Sequence, residues 1–344
     1  MRGYPCGKRS KEECKLLRAK RLKVVGALLT AAFSVYVLLD SFVIERRAAI
    51  VTDDASAHFA CQTAEPVLEE VCLVPTAAGV GNDAPEETDE ETDEETALSL
   101  PAGTQTIGSY DDGEIAIALY TFRYADTQVY AADVTLSSAQ YLKTAFADST
   151  YGRNVTDKTS EIAREAGALL AVNGDYYGAR QSGYVIRNGV LYRDSASDGE
   201  MLLIRADGSF EIVSASAASA EELLSDGAWQ VLCFGPGLVE DGVIAVEEGE
   251  EVGHAKASNP RTAIGMLGEG HYLFLVSDGR TGESEGLSLS ELAELMAAMG
   301  CREAYNLDGG GSSTMVFLGE VVNNPTTNGK RVSERSVSDI VYVG

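Results

Sequence analysis

Short β-rich segments recur from residue 105 to the C terminus, and this repetition most constrains how the chain can fold. Each segment is rich in β-branched residues and ends at Gly, Asp or Asn, as strands joined by turns do. Three of the turns, RNGVL, ADGSF and EDGVI, carry the Asn-Gly or Asp-Gly pair typical of β-hairpins. The predicted strands are 115–122, 129–136, 168–173, 183–193, 201–213, 235–244, 271–279 and 339–344.

Two segments between these strands, 159–167 and 289–300, predict helices. Ser288 and Glu291 form a capping box at the start of the second helix, and Gly300 is suited to its C-terminal cap. Its apolar side chains form one stripe, which predicts a core-facing helix: Leu289, Leu292, Leu295, Met296 and Met299. The sequence therefore predicts a single mixed α+β domain over 105–344, dominated by strands and flanked by helices.

An apolar segment at 24–44 predicts one transmembrane helix before this domain. Sixteen uncharged residues run from Val24 to Leu39, and the segment is near the ~20 residues that span a bilayer. Residues 1–23 contain nine Lys/Arg and two Glu, so the positive-inside rule predicts a cytoplasmic tail at 1–23 and an extracytoplasmic remainder. A cleaved signal peptide is the alternative. The long basic segment and the lack of a small-x-small site favour an uncleaved signal-anchor and a single-pass membrane protein.

Residues 45–104 are predicted to be an acidic extracytoplasmic stalk. Nine acidic residues and no basic residue lie within 83–95, and such a run repels itself and stays extended. The whole chain has a net charge of −26, which disfavours a nucleic-acid partner because phosphate backbones are also negative.

The cysteines and histidines suggest neither a zinc site nor an obvious histidine catalyst. No CxxC or Cys/His cluster is present, and the chain has three histidines. Cys61 and Cys72 are close enough in sequence to form a disulfide in an oxidising compartment. Cys233 and Cys301 lie in apolar stretches and are interpreted either as buried thiols or as a second disulfide.

Four segments contain Gly, Asn, Arg and acidic residues beyond what a core needs: 171–178, 258–266, 276–288 and 305–317. In the first, Asn173, Gly174 and Asp175 follow a strand, which suits a ligand site as well as a simple glycine turn. In the second, Arg261 follows a proline and is interpreted as an anion clamp or a surface ion pair.

The third segment contains Asp278 and Arg280 after a strand, and the fourth reads YNLDGGGSSTMVF. Three glycines flanked by Asp308 and hydroxyl side chains expose backbone N–H groups able to bind an oxyanion, with a tight hairpin as the alternative. This fourth segment lacks the lysine of a P-loop, and it does not have the GxSxG pattern that would place Ser312 or Ser313 as a nucleophile.

The ordered motifs NGDYY, NPRTAIG, SDGR and NLDGGGSSTM, with a closing Arg335 before a β-run, resemble the phosphodiester glycosidase family over roughly 130–344. Asp175 departs from the small residue expected there. The resemblance implies hydrolysis of a sugar-1-phosphodiester at the anomeric C–O bond, releasing the sugar and a phosphomonoester. The substrate expected in this setting is a sugar phosphodiester or cell-envelope glycan.

Because the departing phosphomonoester is a good leaving group, the reaction needs cations for the phosphate and a carboxylate for the sugar carbon or its attacking water. We expect Asp308 to be the catalytic carboxylate, with Asp278 as the second choice. The expected substrate-binding residues are Asn173, Gly174, Asp175, Arg261, Arg280, Gly309, Gly310, Gly311, Ser312, Ser313 and Arg335.

Two other functions fit the same residues. One is a phosphodiesterase that cleaves P–O bonds of an anionic wall polymer, and the other is a non-catalytic, membrane-tethered glycan-binding module for exopolysaccharide assembly. The sequence requires no cofactor. Asp175, Asp278 and Asp308 leave open a divalent cation, Ca²⁺ or Mg²⁺, because it prefers oxygen ligands.

Overall fold

The computed structural model describes residues 49–50, 98–247, 249–251 and 258–344. The predicted transmembrane segment 24–44, most of the predicted stalk and the pair Cys61/Cys72 lie outside these residues. Among the described residues, no helix combines the length and hydrophobicity needed to cross a membrane.

The described residues form twenty strands and three α-helices. The strands are β1 (Ala49–Ile50), β2 (Gln105–Asp111), β3 (Ile115–Tyr124), β4 (Thr127–Leu136), β5 (Leu142–Phe146), β6 (Thr150–Tyr151), β7 (Leu170–Asn173), β8 (Val185–Arg187), β9 (Val190–Arg193), β10 (Glu200–Arg205), β11 (Phe210–Ser214), β12 (Ala228–Leu232), β13 (Gly237–Glu240), β14 (Val243–Ile244), β15 (Arg261–Gly268), β16 (His271–Ser277), β17 (Glu303–Asn306), β18 (Met315–Phe317), β19 (Glu320–Val321) and β20 (Asp339–Val343). The helices are α1 (Thr159–Ala166), α2 (Ala220–Ser225) and α3 (Leu289–Ala298).

The strands form three main sheets, and all pairings among the described strands are antiparallel. The largest sheet has the order β14-β13-β17-β15-β16-β4-β3-β2. Two five-stranded sheets have the orders β11-β10-β12-β8-β9 and β19-β18-β7-β20-β5. β1 and β6 form a separate two-stranded ribbon. The predicted domain dominated by sheet is confirmed.

The central strands of the eight-stranded sheet are buried on both faces, whereas its edge strands β2 and β14 are largely exposed. Along β16, Tyr272 and Phe274 contribute to the central core, whereas Leu273 and Leu275 pack with α3 on the opposite face. This follows from the period of two along a strand, which sends successive side chains to opposite faces. The central core also includes side chains from both five-stranded sheets, so it lies between the large sheet and the two smaller ones.

The local sequence signals are confirmed where they were strongest. Each of the three Asn-Gly or Asp-Gly segments joins two paired strands: β8 with β9, β10 with β11, and β13 with β14. The box formed by Ser288 and Glu291 caps α3, and Gly300 has the positive φ of 99° expected after a helix. The apolar stripe of α3 is buried in the core.

Several elements lie outside the predicted strands and helices, among them β2, β5, β12 and α2. In β5 and β12 the buried face includes polar residues, Thr144 and Gln230, whose side chains hydrogen-bond to each other at 2.9 Å. The alternation of apolar and polar residues that predicts a strand is therefore interrupted in both β5 and β12. Cys233 and Cys301 are free and buried, so of the two interpretations the structure supports buried thiols.

Candidate active site

The predicted site residues lie at strand ends that the sheet pairings bring together. Arg261 opposes Ser277, Ala263 opposes Asn306, and Asn173 opposes Ile340. The start of β15 therefore lies beside the ends of β16 and β17. In the same way, the start of β20 lies beside the end of β7. The segment from Asp308 to Thr314 joins β17 of the large sheet to β18 of a five-stranded sheet, so it crosses between the two sheets where the site lies.

Asp308 forms the centre of this site. Its Oδ2 accepts a hydrogen bond from the Ser312 hydroxyl and one from Arg335 Nη2, each at 2.7 Å. Arg335 also donates from Nε to Ser312 Oγ at 2.8 Å, so the three side chains form a closed triangle. The Asp308 and Arg335 side chains are 12% and 40% exposed, which leaves this ion pair open to a ligand.

Arg280 lies beside the triangle and carries a positive charge without a carboxylate partner among the described residues. Its guanidinium is held by Asn259 Oδ1, 2.9 Å from Nη2, and by the Thr327 carbonyl, 2.6 Å from Nη1. Burial lowers the pKa of Arg280, and repulsion from Arg335 and Arg261 lowers it further. Three like charges are therefore close enough to interact, which is the arrangement of an anion site.

Arg261 and Asp278 are placed differently from the other predicted residues. Arg261 is buried, and its Nη2 lies 2.5 Å from a Glu251 carboxylate oxygen. Asp278 is also buried, and it accepts hydrogen bonds from the side chains of Asn323 and Asn324 and from the Asn324 N–H. The Asp278 charge acts on the nearby Tyr130 hydroxyl: burial of Tyr130 and, after it, the Asp278 charge raise the pKa of Tyr130 to about 12.

The glycine segment makes a single 3₁₀ turn at Gly310–Ser312, and most of its N–H groups have partners inside the protein. The N–H of Gly310 donates to Pro260 O at 2.8 Å, while Ser312 and Ser313 donate to the carbonyls of Gly309 and Gly310. Gly310 has a φ of 64°, a conformation that disfavours a side chain. Within the described residues, the N–H groups of Gly309 and Gly311 donate no backbone hydrogen bond of this kind. The hydroxyl oxygen of Ser313 is buried and has no hydrogen-bond partner among the same residues.

Asn173 and Gly174 fix the Asp308 segment. The Asn173 amide donates to Asp308 O at 2.6 Å, and its Oδ1 accepts from the Thr262 hydroxyl at 2.8 Å. Gly174 O accepts the Asp308 N–H at 3.3 Å. Both residues therefore position the backbone that carries the carboxylate.

Asp175 belongs to a separate, fully buried ion cluster. Arg187 Nη2 lies 3.0 Å from Asp175 Oδ1 and 2.8 Å from Asp339 Oδ2, and all three side chains are about 1% exposed. Arg187 and Asp339 were not singled out in the sequence, because Arg187 lies in the RNGVL hairpin and was interpreted only as part of a turn.

Three further residues of the site were also missed. Asn259 and Thr327 orient Arg280, and Tyr176 places its ring 6.0 Å from the Arg335 guanidinium carbon. Asn259 directly precedes Pro260 in the NPR motif, so its closeness to Arg261 was the one available signal. Tyr176 lies within the NGDYY motif, and the sequence offered no reason to assign it a role different from that of Tyr177.

The three carboxylates considered for a divalent cation have different partners. Asp175 pairs with Arg187, Asp308 pairs with Arg335, and Asp278 binds amide groups. Within the described ranges, no group of three or more His, Cys, Asp or Glu residues is arranged to hold a metal ion.

Comparison with known proteins places these residues within one family profile. Residues 166–344 match the profile described as phosphodiester glycosidase, which is more than half of the chain and contains all of the predicted site residues. The family predicted from the four motifs is confirmed.

Two curated relatives each match about half of the chain. The SPbeta prophage-derived uncharacterised protein YomE of Bacillus subtilis (strain 168) is 29% identical over 203 residues, covering 57% of this chain and 31% of that protein. The mouse N-acetylglucosamine-1-phosphodiester alpha-N-acetylglucosaminidase is 30% identical over 183 residues, covering 48% of this chain and 35% of the mouse protein. The aligned part of the chain thus spans about a third of the length of these relatives.

A solved structure has the same fold. The zebrafish N-acetylglucosamine-1-phosphodiester alpha-N-acetylglucosaminidase catalytic domain, described as auto-inhibited by its pro-peptide, superposes with a TM-score of 0.54 at 21% identity. The superposition covers 70% of this chain and 87% of the zebrafish chain.

Proposed function

The chain belongs to the phosphodiester glycosidase family, and we propose that it hydrolyses a sugar-1-phosphodiester at the anomeric C–O bond. The products are the free sugar and a phosphomonoester. The mouse relative is named for this type of substrate, an N-acetylglucosamine-1-phosphodiester.

The observation that carries the proposal is the charge balance around Asp308. Three arginines, Arg261, Arg280 and Arg335, interact with two carboxylates, Glu251 and Asp308. Among the described residues one positive charge is left over, and a phosphodiester supplies one negative charge. Arg280 is the group without a carboxylate partner among the described residues, so it is the first contact expected for the phosphate.

The same residues fit the requirements of the reaction. As the C–O bond breaks, negative charge grows on the departing phosphate, and guanidinium groups already in place stabilise it. Positive charge grows on the sugar carbon. Asp308 Oδ2 is engaged by Ser312 and Arg335, and Oδ1 makes no hydrogen bond within the described residues, so it is available to the sugar carbon or its attacking water.

We also propose that the enzyme acts on cell-envelope glycans outside the cytoplasm, anchored by 24–44. The support is the basic tail, the apolar segment and the acidic remainder of the sequence. Digestion of intact cells or spheroplasts with an external protease tests this: the catalytic domain is expected to be cleaved while the N-terminal tail is protected. Protection of the whole chain would contradict the proposed orientation.

Hydrolysis in ¹⁸O-labelled water tests the proposed reaction. The full chain, purified in mild detergent, is incubated with an N-acetylglucosamine-1-phosphodiester and a panel of other sugar phosphodiesters. Cleavage of the C–O bond yields free sugar and a phosphomonoester without ¹⁸O, as measured by mass spectrometry. Label in the phosphate would instead identify P–O cleavage, and sugar phosphate as product would identify a wall-polymer phosphodiesterase. Binding without turnover of any substrate would identify a glycan-binding module.

A further inference from the structure

We propose that Tyr176 is the residue that contacts the sugar and sets the preference for a pyranose ring in this site. The inference rests on the proposed function, because it assumes that the arginines bind the phosphate. It concerns a different part of the substrate, namely the sugar that distinguishes a glycosyl phosphate from a simple alkyl phosphate.

Tyr176 combines an unfavourable backbone conformation with an exposed aromatic ring. Its φ is 67°, in the left-handed region that a bulky side chain rarely adopts, and the residue is 44% exposed. Such strain persists only where the surrounding structure enforces it, and it is concentrated at functional sites. A large exposed aromatic that is held in a strained conformation is unlike an ordinary surface residue.

The flanking residue Asp175 enforces this conformation from the buried side. Asp175 Oδ1 accepts the N–H of Tyr177 at 3.1 Å, and Oδ2 accepts the N–H of Cys233 at 2.7 Å. Arg187 then binds Asp175 and Asp339 together. The turn that carries Tyr176 is therefore fixed by a buried carboxylate with three polar contacts.

Two glycines let the same turn lie directly against the segment that leads from Arg335 into β20. A Cβ on Gly174 would overlap the Asp339 carboxylate, and a Cβ on Gly178 would overlap Ser338 Oγ. The Gly174 N–H also donates to Asp339 O at 2.9 Å. This close packing places the Arg335 guanidinium over the Tyr176 ring, with its central carbon 6.0 Å from the ring centroid.

The result is an apolar ring face next to a guanidinium cluster, and a sugar-1-phosphate has the complementary pair of groups. Its phosphate matches the arginines, and the C–H face of its pyranose ring matches an aromatic face. The Arg335 guanidinium connects the two, because it contacts Asp308 and also lies beside the Tyr176 ring. A phosphate on a flexible alkyl chain offers no such rigid face.

Isothermal titration of the full chain in mild detergent tests the proposal with three probes: inorganic phosphate, glycerol-1-phosphate and α-N-acetylglucosamine-1-phosphate. Probe integrity is checked by ³¹P NMR. The parent is expected to bind the sugar phosphate about tenfold more tightly than glycerol phosphate, equivalent to about 1.4 kcal/mol. Tyr176→Phe keeps the ring and the preference.

Tyr176→Gly is the decisive variant, since it removes the ring and also relieves the backbone strain, so the fold is expected to be retained. It should bind inorganic phosphate as the parent does and lose the preference for the sugar phosphate. Retention of the full preference would overturn the assignment of Tyr176, as would a parent with no preference. Failure of the parent to bind any phosphate probe would contradict the proposed function itself, and with it this inference.

Discussion

Two ion clusters lie on either side of the 173–177 turn, and they are opposite in both charge balance and exposure. The open cluster consists of Arg261, Arg280, Arg335, Asp308 and Glu251, and within the part of the chain that the structure describes it has an excess of guanidinium groups. The sealed cluster consists of Asp175, Arg187 and Asp339 and has an excess of carboxylate.

The comparison shows that exposure decides how an excess charge is compensated, either by a ligand or by a proton. In the open cluster, Arg280 is exposed and has no carboxylate partner among the described residues, so its guanidinium is accessible to an anion from solution. In the sealed cluster, burial raises the pKa of Asp339 to about 7, with Arg187 opposing the rise and Asp175 adding to it. An excess acid in the interior is therefore relieved by taking up a proton rather than by binding a ligand.

The largest expected effect is on turnover, from the open cluster. Asp308→Asn keeps the size of the side chain and removes the charge, so kcat should fall by about 10²–10⁴, the range for a lost proton-transferring or charge-stabilising group. Thermal unfolding should change little, because the Asn amide oxygen has the same position and can still accept the hydrogen bonds of Ser312 and Arg335. Asp126→Asn, in the exposed β3–β4 turn, is the matched control and should retain full turnover. Full turnover in Asp308→Asn with an intact fold would rule out Asp308 as the catalytic carboxylate.

The next effect is on stability, from the sealed cluster. Arg187→Met leaves two buried carboxylates without their cation, and removing one partner of a buried ion pair typically costs about 3–5 kcal/mol. Denaturant unfolding measures the change in free energy. The control is Arg164→Met, which removes an exposed i,i+3 pair with Glu161 and should change the free energy by less than about 1 kcal/mol. Equal effects of the two substitutions would remove the distinction between the clusters.

A smaller effect is expected from the unmatched guanidinium of the open cluster. Arg280→Gln should reduce kcat/KM by about tenfold to a hundredfold, because a hydrogen bond to a charged group contributes about 1.5–3 kcal/mol. Arg280→Lys keeps the charge but not the planar donor fork, so it should lie between the parent and Arg280→Gln. Steady-state kinetics measures both. No loss in Arg280→Gln would place the phosphate elsewhere.

The sealed cluster should also make stability depend on pH. Asp339 has a folded-state pKa raised to about 7 from its ordinary value near 3.8, so the folded state holds a proton that the unfolded state releases. Its contribution is fully present below about pH 4 and is lost as the pH rises towards 7, by at most about 1.4 kcal/mol per pH unit. Asp339→Asn should therefore flatten the unfolding free energy between pH 4 and 7. An unchanged slope would contradict a protonated Asp339.

The smallest effect is expected on removal of divalent cations. Among the described residues, each of the three candidate carboxylates is already bound by Arg or amide groups. Turnover should therefore be the same before and after treatment with EDTA. Loss of turnover that Ca²⁺ or Mg²⁺ restores would show that a cation takes part in the open cluster.

The open cluster was more predictable from sequence than the sealed one. Asp308, Arg280 and Arg335 lie in motifs dense in Gly and polar residues, where a core explanation is weak. Arg187 lies in a hairpin whose Asn-Gly turn explained it locally, and its partner Asp339 is 152 residues away. No local pattern relates two residues at that separation.

The local patterns of this sequence determined the hairpins, the caps of α3 and the buried faces of β16, because a turn, a cap or a strand period depends on residues close together in the chain. Tertiary structure alone decided which charges meet. The pairing of β7 with β20 brings Gly174 against Asp339, and the crossing from β17 to β18 brings Asp308 under Arg335. Charge interactions depend on distance in space, so the fold had to be formed before one cluster could be open and the other sealed.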